Sequence, residues 1–411
     1  MIPTASSESE RERAARVLAY VRGRRDEFVD FISDLARLES PTDDSEAQEP
    51  VQRHVADALQ DLGFEVRRVR ARGVGDHMLA RTRSRGRPAQ MLIGHTDTVW
   101  PHGTLERMPV HVVDGRLHGP GTLDMKGGVT QMVFALRALY SLGLKPPAAP
   151  IVFLNTDEEI GSPDSKRHVR RLAKAVARCF VPEPAWGETG MIKTARKGVG
   201  RFRLQLRGRA AHAGLEPEMG VSAVHELAHW IDRLHALNDF DRGTTVNVGV
   251  VRGGTRPNVI AAEASAEIDV RVLTAEEGAR VTARLHEMSP RAPGITARLT
   301  GGITTAPLER TPRNRRLWAH ALRSADALGM ELDEVVSGGG SDGSTTSQHT
   351  ATLDGIGCVG DGPHADHEHL RIDASLDRCA LLALLLMAPI DVDHDATGDP
   401  VRAEHPGEGR A

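Results

Sequence analysis

Two hydrophobic periods run along this chain, and their order predicts its elements. From near Arg24, the residues Phe28, Phe31, Ile32, Leu35 and Leu38 fall on one stripe, which predicts a helix. A second helical stretch over 46–62 stops at Gly63. Short apolar or alternating runs at 64–69, 78–81 and 91–95 predict strands, 125–142 a long helix, and 151–155 and 178–181 two further strands. Helices alternating with strands indicate an α/β layered sheet. The texture changes near Ala195: strands at 199–206, 245–251 and 264–272 are separated by helices at 221–237 and 275–287. This is an α+β insert of roughly 110 residues, the size of one small domain. After Pro307 the first pattern returns, with a helix from Arg313, a strand at 331–336, a Gly/Ser-rich turn and an apolar helix over 376–387. The expectation is therefore a discontinuous α/β catalytic domain (23–194 and 309–390, a mixed sheet covered by helices) around an inserted α+β lid or dimerisation domain (195–308). A flexible N-terminus (1–22) and a disordered tail rich in Asp, Gly and Pro (391–411) flank it.

Composition narrows the classes. Aromatic residues make up 3% of the 411 positions and the formal charge is −4, with acids and bases interspersed. Neither base-stacking platforms nor a basic footprint is present, so nucleic acid is not an expected partner. Cys179, Cys358 and Cys379 are far apart, which fits a reducing compartment and supplies no thiolate metal site. The first ten residues contain no apolar core of a signal peptide, and the longest apolar run, 379–390, falls short of the ~20 residues that span a bilayer. A soluble, cytoplasmic protein with no membrane partner is expected.

The chemistry gathers where strands end. The apolar run Ile151-Val152-Phe153-Leu154 leads into Asn155-Thr156-Asp157-Glu158-Glu159-Ile160-Gly161-Ser162. Ionised carboxylates beside a core are costly unless something positive meets them, and ligands bind at the carboxyl ends of strands in open α/β sheets. A solvated acidic turn is the competing reading of this stretch alone. Met91-Leu92-Ile93-Gly94-His95-Thr96-Asp97 ends a strand in His-x-Asp, where alternation puts the acid beside the imidazole it can orient. Asp124 is a lone acid in a glycine-rich turn before a helix, either an N-cap or a carboxylate between two cations. Glu183 closes another strand, and His364 lies in a loop of turn formers. Because neighbouring side chains diverge, Glu158 and Glu159 are not expected to share a role: one can ligate a metal while the other serves as general base. Each feature is weak singly, but together they form a His, Asp and Glu set suited to zinc.

These motifs resemble the co-catalytic zinc aminoacylase/carboxypeptidase family, which includes bacterial glutamate carboxypeptidase, acetylornithine deacetylase and succinyl-diaminopimelate desuccinylase. The resemblance rests on His95-x-Asp97, Gly119-Pro120-Gly121-x-x-Asp124-Met125-Lys126-Gly127-Gly128, Asp157-Glu158-Glu159-Ile160-Gly161-Ser162, Glu183-Pro184 and His364-x-x-x-Glu368. It covers about residues 25–390 and is most similar to glutamate carboxypeptidase. It implies that His95 and Glu183 hold one zinc, Glu159 and His364 the other, with Asp124 bridging; cobalt or manganese suits the same ligands. It also implies Glu158 as the base, Asp97 behind His95, and a cis peptide after Asp124. His212, within Gly208-Arg209-Ala210-Ala211-His212-Ala213-Gly214, would reach the site of a partner subunit, giving a homodimer through the lid. Asn258, Arg271 and the loop containing Gly339 and Gly340 would hold the substrate. The implied reaction is hydrolysis of an amide or peptide bond next to a free amino-acid carboxylate, with deacetylation or desuccinylation of an N-acyl amino acid as the alternative.

Two contiguous motifs compete. His225-Glu226-Leu227-Ala228-His229 matches HExxH, with His235 at a third-ligand spacing. Helical phase, however, puts Val224, Leu227, Ala228, Ile231 and Leu234 on the buried stripe and the histidines on the polar face. Gly339-Gly340-Ser341-Asp342-Gly343 matches a nucleophile elbow and would make a serine hydrolase. Its preceding strand is short and half acidic, as suits a sheet edge, and it leaves Asp157–Glu159 unexplained.

Overall fold

The computed structural model describes residues 9–82 and 86–391. The body begins with α1 (Glu10–Arg22), α2 (Arg25–Arg37) and α3 (Gln48–Asp61), then β1 (Glu65–Val69), β2 (His77–Arg81) and β3 (Ala89–His95). It continues through α4 (Thr104–Arg107), β4 (His111–Val113), β5 (Arg116–His118), α5 (Gly127–Ser141), β6 (Ala149–Asn155), α6 (Lys166–Ala173), β7 (Arg178–Val181) and β8 (Ile192–Arg196). The lid follows as β9 (Gly198–Arg207), α7 (Ala223–His235), β10 (Thr245–Gly253), β11 (Glu263–Val272), α8 (Ala275–Glu287) and β12 (Thr296–Thr305). The chain then re-enters the body with α9 (Pro312–Leu328), β13 (Glu334–Ser337), α10 (Asp342–Thr346), β14 (Ala351–Asp354), β15 (Gly360–Asp361), β16 (His369–Arg371) and α11 (Ile372–Met387).

The body sheet is mixed and eight-stranded, in the order β1-β2-β6-β3-β7-β14-β8-β13. Its centre, β6, β3 and β7, is parallel. Met91, Leu92, Ile93, Val152, Phe153 and Leu154 are buried there, as expected of strands covered on both faces. Their carboxyl ends therefore deliver His95, the turn after Asn155 and Glu183 to one edge. Helix α5 packs closely on that edge because Gly128 has no side chain: a Cβ there would lie 1.9 Å from the Pro182 carbonyl oxygen. A small second sheet, β15-β16-β5-β4, ties the loop of His364 to the segment before Asp124. β13 lies at the edge of the main sheet, where its short, half-acidic sequence fits.

The lid is an antiparallel sheet, β10-β11-β9-β12, with α7 and α8 packed on one face over Phe202, Leu204, Trp230, Val270 and Leu285. Its fourth strand, β12, was not expected. The α7 stripe also departs from expectation: Leu227 and Leu234 are buried, but Val224 is 43% exposed and Ala228 is exposed. Ala223, Glu226 and Trp230 fill the core instead, because the sheet meets the helix slightly to one side of its most apolar line.

The flexible N-terminus over 1–22 needs correction. Ser9 and Glu12 form a reciprocal capping box, and Ala14, Val17 and Val21 of α1 are buried in the body core beside α9 and α11. Residues 1–8 and the predicted disorder of 392–411 lie outside the described residues. Among the described residues no helix is long and apolar enough to cross a membrane.

Candidate metal centre and active site

Two histidines meet one carboxylate at the centre of this edge. His95 Nε2 lies 3.4 Å from Asp124 Oδ1 and 3.5 Å from Glu183 Oε1. On the other side of Asp124, His364 Nε2 lies 3.3 Å from Oδ2 and 3.2 Å from Glu159 Oε2. Asp124 thus offers one oxygen to each histidine. The donors fall into two overlapping groups, His95/Glu158/Glu183 and His95/Asp124/Glu159, whose atoms in each group all lie within 4.8 Å. Asp124 Oδ1 and Glu159 Oε1 are buried with no hydrogen-bond partner. Such atoms are costly unless a cation meets them, so the residues fit a pair of divalent metals.

Local structure sets each side chain. His95 Nδ1 is 2.9 Å from the Asp97 carbonyl oxygen and 3.5 Å from its Oδ1, which leaves Nε2 facing the cluster. The Asp97 carboxylate also accepts from the amides of Glu158 (3.4 Å) and Glu159 (3.2 Å) and from Thr42 Oγ1 (2.8 Å). It therefore holds the first ligand strand and the acidic turn in one frame. Asp157 is buried and closes its own turn by accepting from the amides of Asp164 and Ser165 at 2.8 and 3.0 Å. The peptide between Asp124 and Met125 is cis, within an irregular turn before α5.

Titration follows the crowding. Burial disfavours charge on His95, yet the carboxylates of Asp124, Asp97 and Glu183 hold its pKa well above the usual value. Asp124 and Glu159 push His364 up to about 10. Burial, then the neighbouring Glu183 carboxylate, pushes Glu158 well above the carboxylate range.

The sequence model of peptidase family M20/M25/M40 matches residues 91–388. The chain belongs to that family. It is accordingly a metal-dependent hydrolase. Carboxypeptidase G2 of Pseudomonas sp. (strain RS-16) is 27% identical over 366 residues, covering 87% of this chain and 88% of the relative. Succinyl-diaminopimelate desuccinylase of Bordetella pertussis is 28% identical over 333 residues, covering 77% and 85%. The fold matches the aminopeptidase PepT of Bacillus cereus with a TM-score of 0.75 at 22% identity, over 88% of this chain and 98% of that one. It matches a dinuclear metal-binding M20 peptidase of Bacillus subtilis with a TM-score of 0.65 at 15% identity, over 89% and 98%.

In this M20 site the cluster opens into a cavity of about 920 Å³ between body and lid. Glu158, Glu159, Asp342 and His364 line it from the body, and Val199, Arg201, Arg271 and Thr304 from the lid. Arg271 reaches the cavity with its guanidinium fork on Asp269, Nε 2.7 Å and Nη2 3.1 Å from the carboxylate oxygens. Gly340 lines the wall, and the carbonyls of Gly339 and Gly340 accept from Arg196. His212 and Asn258 are exposed on the lid and do not line this cavity; His212 Nδ1 accepts from the amides of Gly214 and Leu215.

Two supporting residues had no role in the sequence reading. Arg196, buried at the end of β8, donates twice to Asp354 at 2.8 Å and lies 3.5 Å from Glu183 Oε2. No motif marks it. Glu368 accepts from Trp100 Nε1, from the amides of Gly121 and Leu123 (all 2.9 Å), and from Asp124 N (3.1 Å). It clamps the loop of His364 to the turn of Asp124, and its spacing four residues after His364 was the available signal.

The contiguous motifs resolve differently. Glu226 turns into the lid core and accepts from the amides of Arg291 and Ala292, both at 2.9 Å. It is thereby withdrawn from His225 and His229, whose rings lie tilted against each other with centroids 4.8 Å apart. Ser341 lines the cavity, but its hydroxyl donates to Asp354 rather than to a histidine. Among the described residues no histidine accepts from this serine, and Asp354 is itself held by Arg196.

Proposed function

We propose that the chain is a two-zinc hydrolase that cleaves an amide or peptide bond adjacent to a free amino-acid carboxylate, most like a glutamate carboxypeptidase. The observation that carries this reading is Asp124 standing between His95 and His364 with a buried oxygen that accepts no hydrogen bond, beside a cavity whose lid wall is cationic. Zinc ions, when bound, lower the pKa of water toward ~7 and polarise a carbonyl. His95 and Glu183 would hold one ion, Glu159 and His364 the other, and Asp124 both. Glu158 would take the proton from the attacking water and deliver it to the leaving amine. Arg271, its Nε–Nη2 edge held by Asp269, would meet the α-carboxylate with the remaining Nη hydrogens, a charge-assisted contact. Removal of an N-acetyl or N-succinyl group from a biosynthetic intermediate is the second reading, favoured by the desuccinylase relatives.

The reading includes a homodimer of lids in a cytoplasmic setting. Val224 on α7 and Val250 and Val251 on the edge strand β10 are exposed, at 43, 40 and 53%, and would be covered by a second copy. His212 and Asn258, outside their own chain's cavity, would then complete the partner's site, His212 stabilising the oxyanion. The buried free thiols of Cys179, Cys358 and Cys379 fit a reducing compartment. The body, lid and second body segment of the sequence reading would be its three functional parts. A panel of N-acyl amino acids and dipeptides assayed for amine release, with and without chelator, tests the proposal. Release abolished by chelator and restored by zinc is expected; release indifferent to chelator would overturn it.

A further inference from the structure

We propose that Arg201 determines specificity by receiving a second carboxylate, carried on the side chain of the amino acid that leaves. This rests on the hydrolase reading above and adds to it the residue that reads the side chain of the leaving amino acid. One face of the lid sheet packs on its helices through Phe202, Leu204, Ile268 and Val270. Side chains alternate along a strand, so the neighbouring residues point the other way, and Val199, Arg201 and Arg271 line the cavity.

Register gives Arg201 an obvious neutralising partner, because Asp269 lies directly opposite it on β11. Asp269 is instead occupied by the fork of Arg271, which also donates to the Gly338 carbonyl at 3.2 Å. Lys166, on the body side of the cavity, donates to the Thr304 carbonyl at 2.9 Å. Among the described residues Arg201 has no hydrogen-bond or ion-pair partner. On its other flank, Gly302 of β12 sits opposite and brings no side chain against it.

The cavity is thus polarised. Its carboxylates, Glu158, Glu159 and Asp342, belong to the body wall, and two of its three Lys and Arg side chains to the lid wall. With the scissile bond at the body wall, the leaving amino acid meets the lid. Arg271 opposes Val199 and so lies diagonal to Arg201 on the neighbouring strand, about 7–8 Å away. An acidic amino acid offers its α-carboxylate to one guanidinium and its side-chain carboxylate to the other. A neutral one leaves Arg201 unmatched.

The test uses the full-length, zinc-loaded enzyme and isosteric substrates, an N-acyl-glutamate against the same N-acyl-glutamine, and an N-succinyl against an N-acetyl neutral amino acid. The wild type is expected to favour the glutamate compound in kcat/KM. A charge-assisted hydrogen bond corresponds to about 10–100-fold, so Arg201→Gln should collapse the acid-to-amide ratio by that factor, mainly through KM. Arg201→Lys should restore part of it, which separates charge recognition from damage to the lid. A ratio unchanged in Arg201→Gln, or a penalty on the N-succinyl compound instead, would overturn the assignment while leaving the hydrolase reading intact. No amine released from any compound would overturn that reading and this one with it.

Discussion

Helix α7 places His225 and His229 one turn apart, with a glutamate between them and the imidazole centroids 4.8 Å from each other. In the body, His95 and His364 are far apart in sequence and meet only through the two oxygens of Asp124. The α7 set matches a metal motif letter by letter; the body set matches nothing contiguous. What separates them is where the carboxylates go. Glu226 is spent on two backbone amides, whereas Asp124 and Glu159 each keep a buried oxygen that accepts no hydrogen bond. A motif supplies donor types, but only unspent, converging donors make a site.

That contrast can be broken at four places. The largest effect is expected at the base: Glu158→Gln should cut kcat by roughly 10²–10⁴, as loss of a general base does, measured by amine release on the best substrate of the panel. Next comes Glu368→Gln, which weakens the clamp between the two ligand loops. Supporting residues of this kind are worth roughly 10–100-fold in metal affinity, read by titration with a competing chelator. A smaller effect belongs to Glu226→Gln in the lid, with a stability loss on the order of 1 kcal/mol and no loss of metal. Its sign with pH follows from the amides of Ala292 and Arg291, which outweigh burial and hold the Glu226 pKa below 4.5. The stabilisation is present above about that pH and fades as pH falls through the lower folded value. The melting curves of variant and wild type should therefore converge in acid. Smallest of all, His225→Ala with His229→Ala should leave metal content unchanged; lost metal would restore α7 as a site.

Much of the fold was legible because the body strands are apolar runs closed by turn residues. Helix α1 was missed because Arg and Glu dominate it, and its narrow stripe of Ala14, Val17 and Val21 gains meaning only when the helices of the distant C-terminal segment cover it. The capping box of Ser9 and Glu12 was the local clue. Strand β12 was missed because Gly301 and Gly302 interrupt its alternation. Within the site, residues in motifs could be named from sequence, since their spacing carries the pattern. Arg196 could not, because its importance lies in reaching Glu183, Asp354 and the glycine loop at once from a domain crossing.

The central claim is that the acidic turn divides its labour, Glu159 holding metal and Glu158 handling protons. The grouping of Glu158 with His95 and Glu183 within 4.8 Å makes a rival, in which Glu158 is itself a ligand. Metal per chain, determined by elemental analysis on Glu158→Gln and Glu159→Gln purified side by side, decides between them. The account predicts two equivalents in Glu158→Gln, as in the wild type, and about one in Glu159→Gln. Loss of metal from Glu158→Gln, or two equivalents retained in Glu159→Gln, would contradict it.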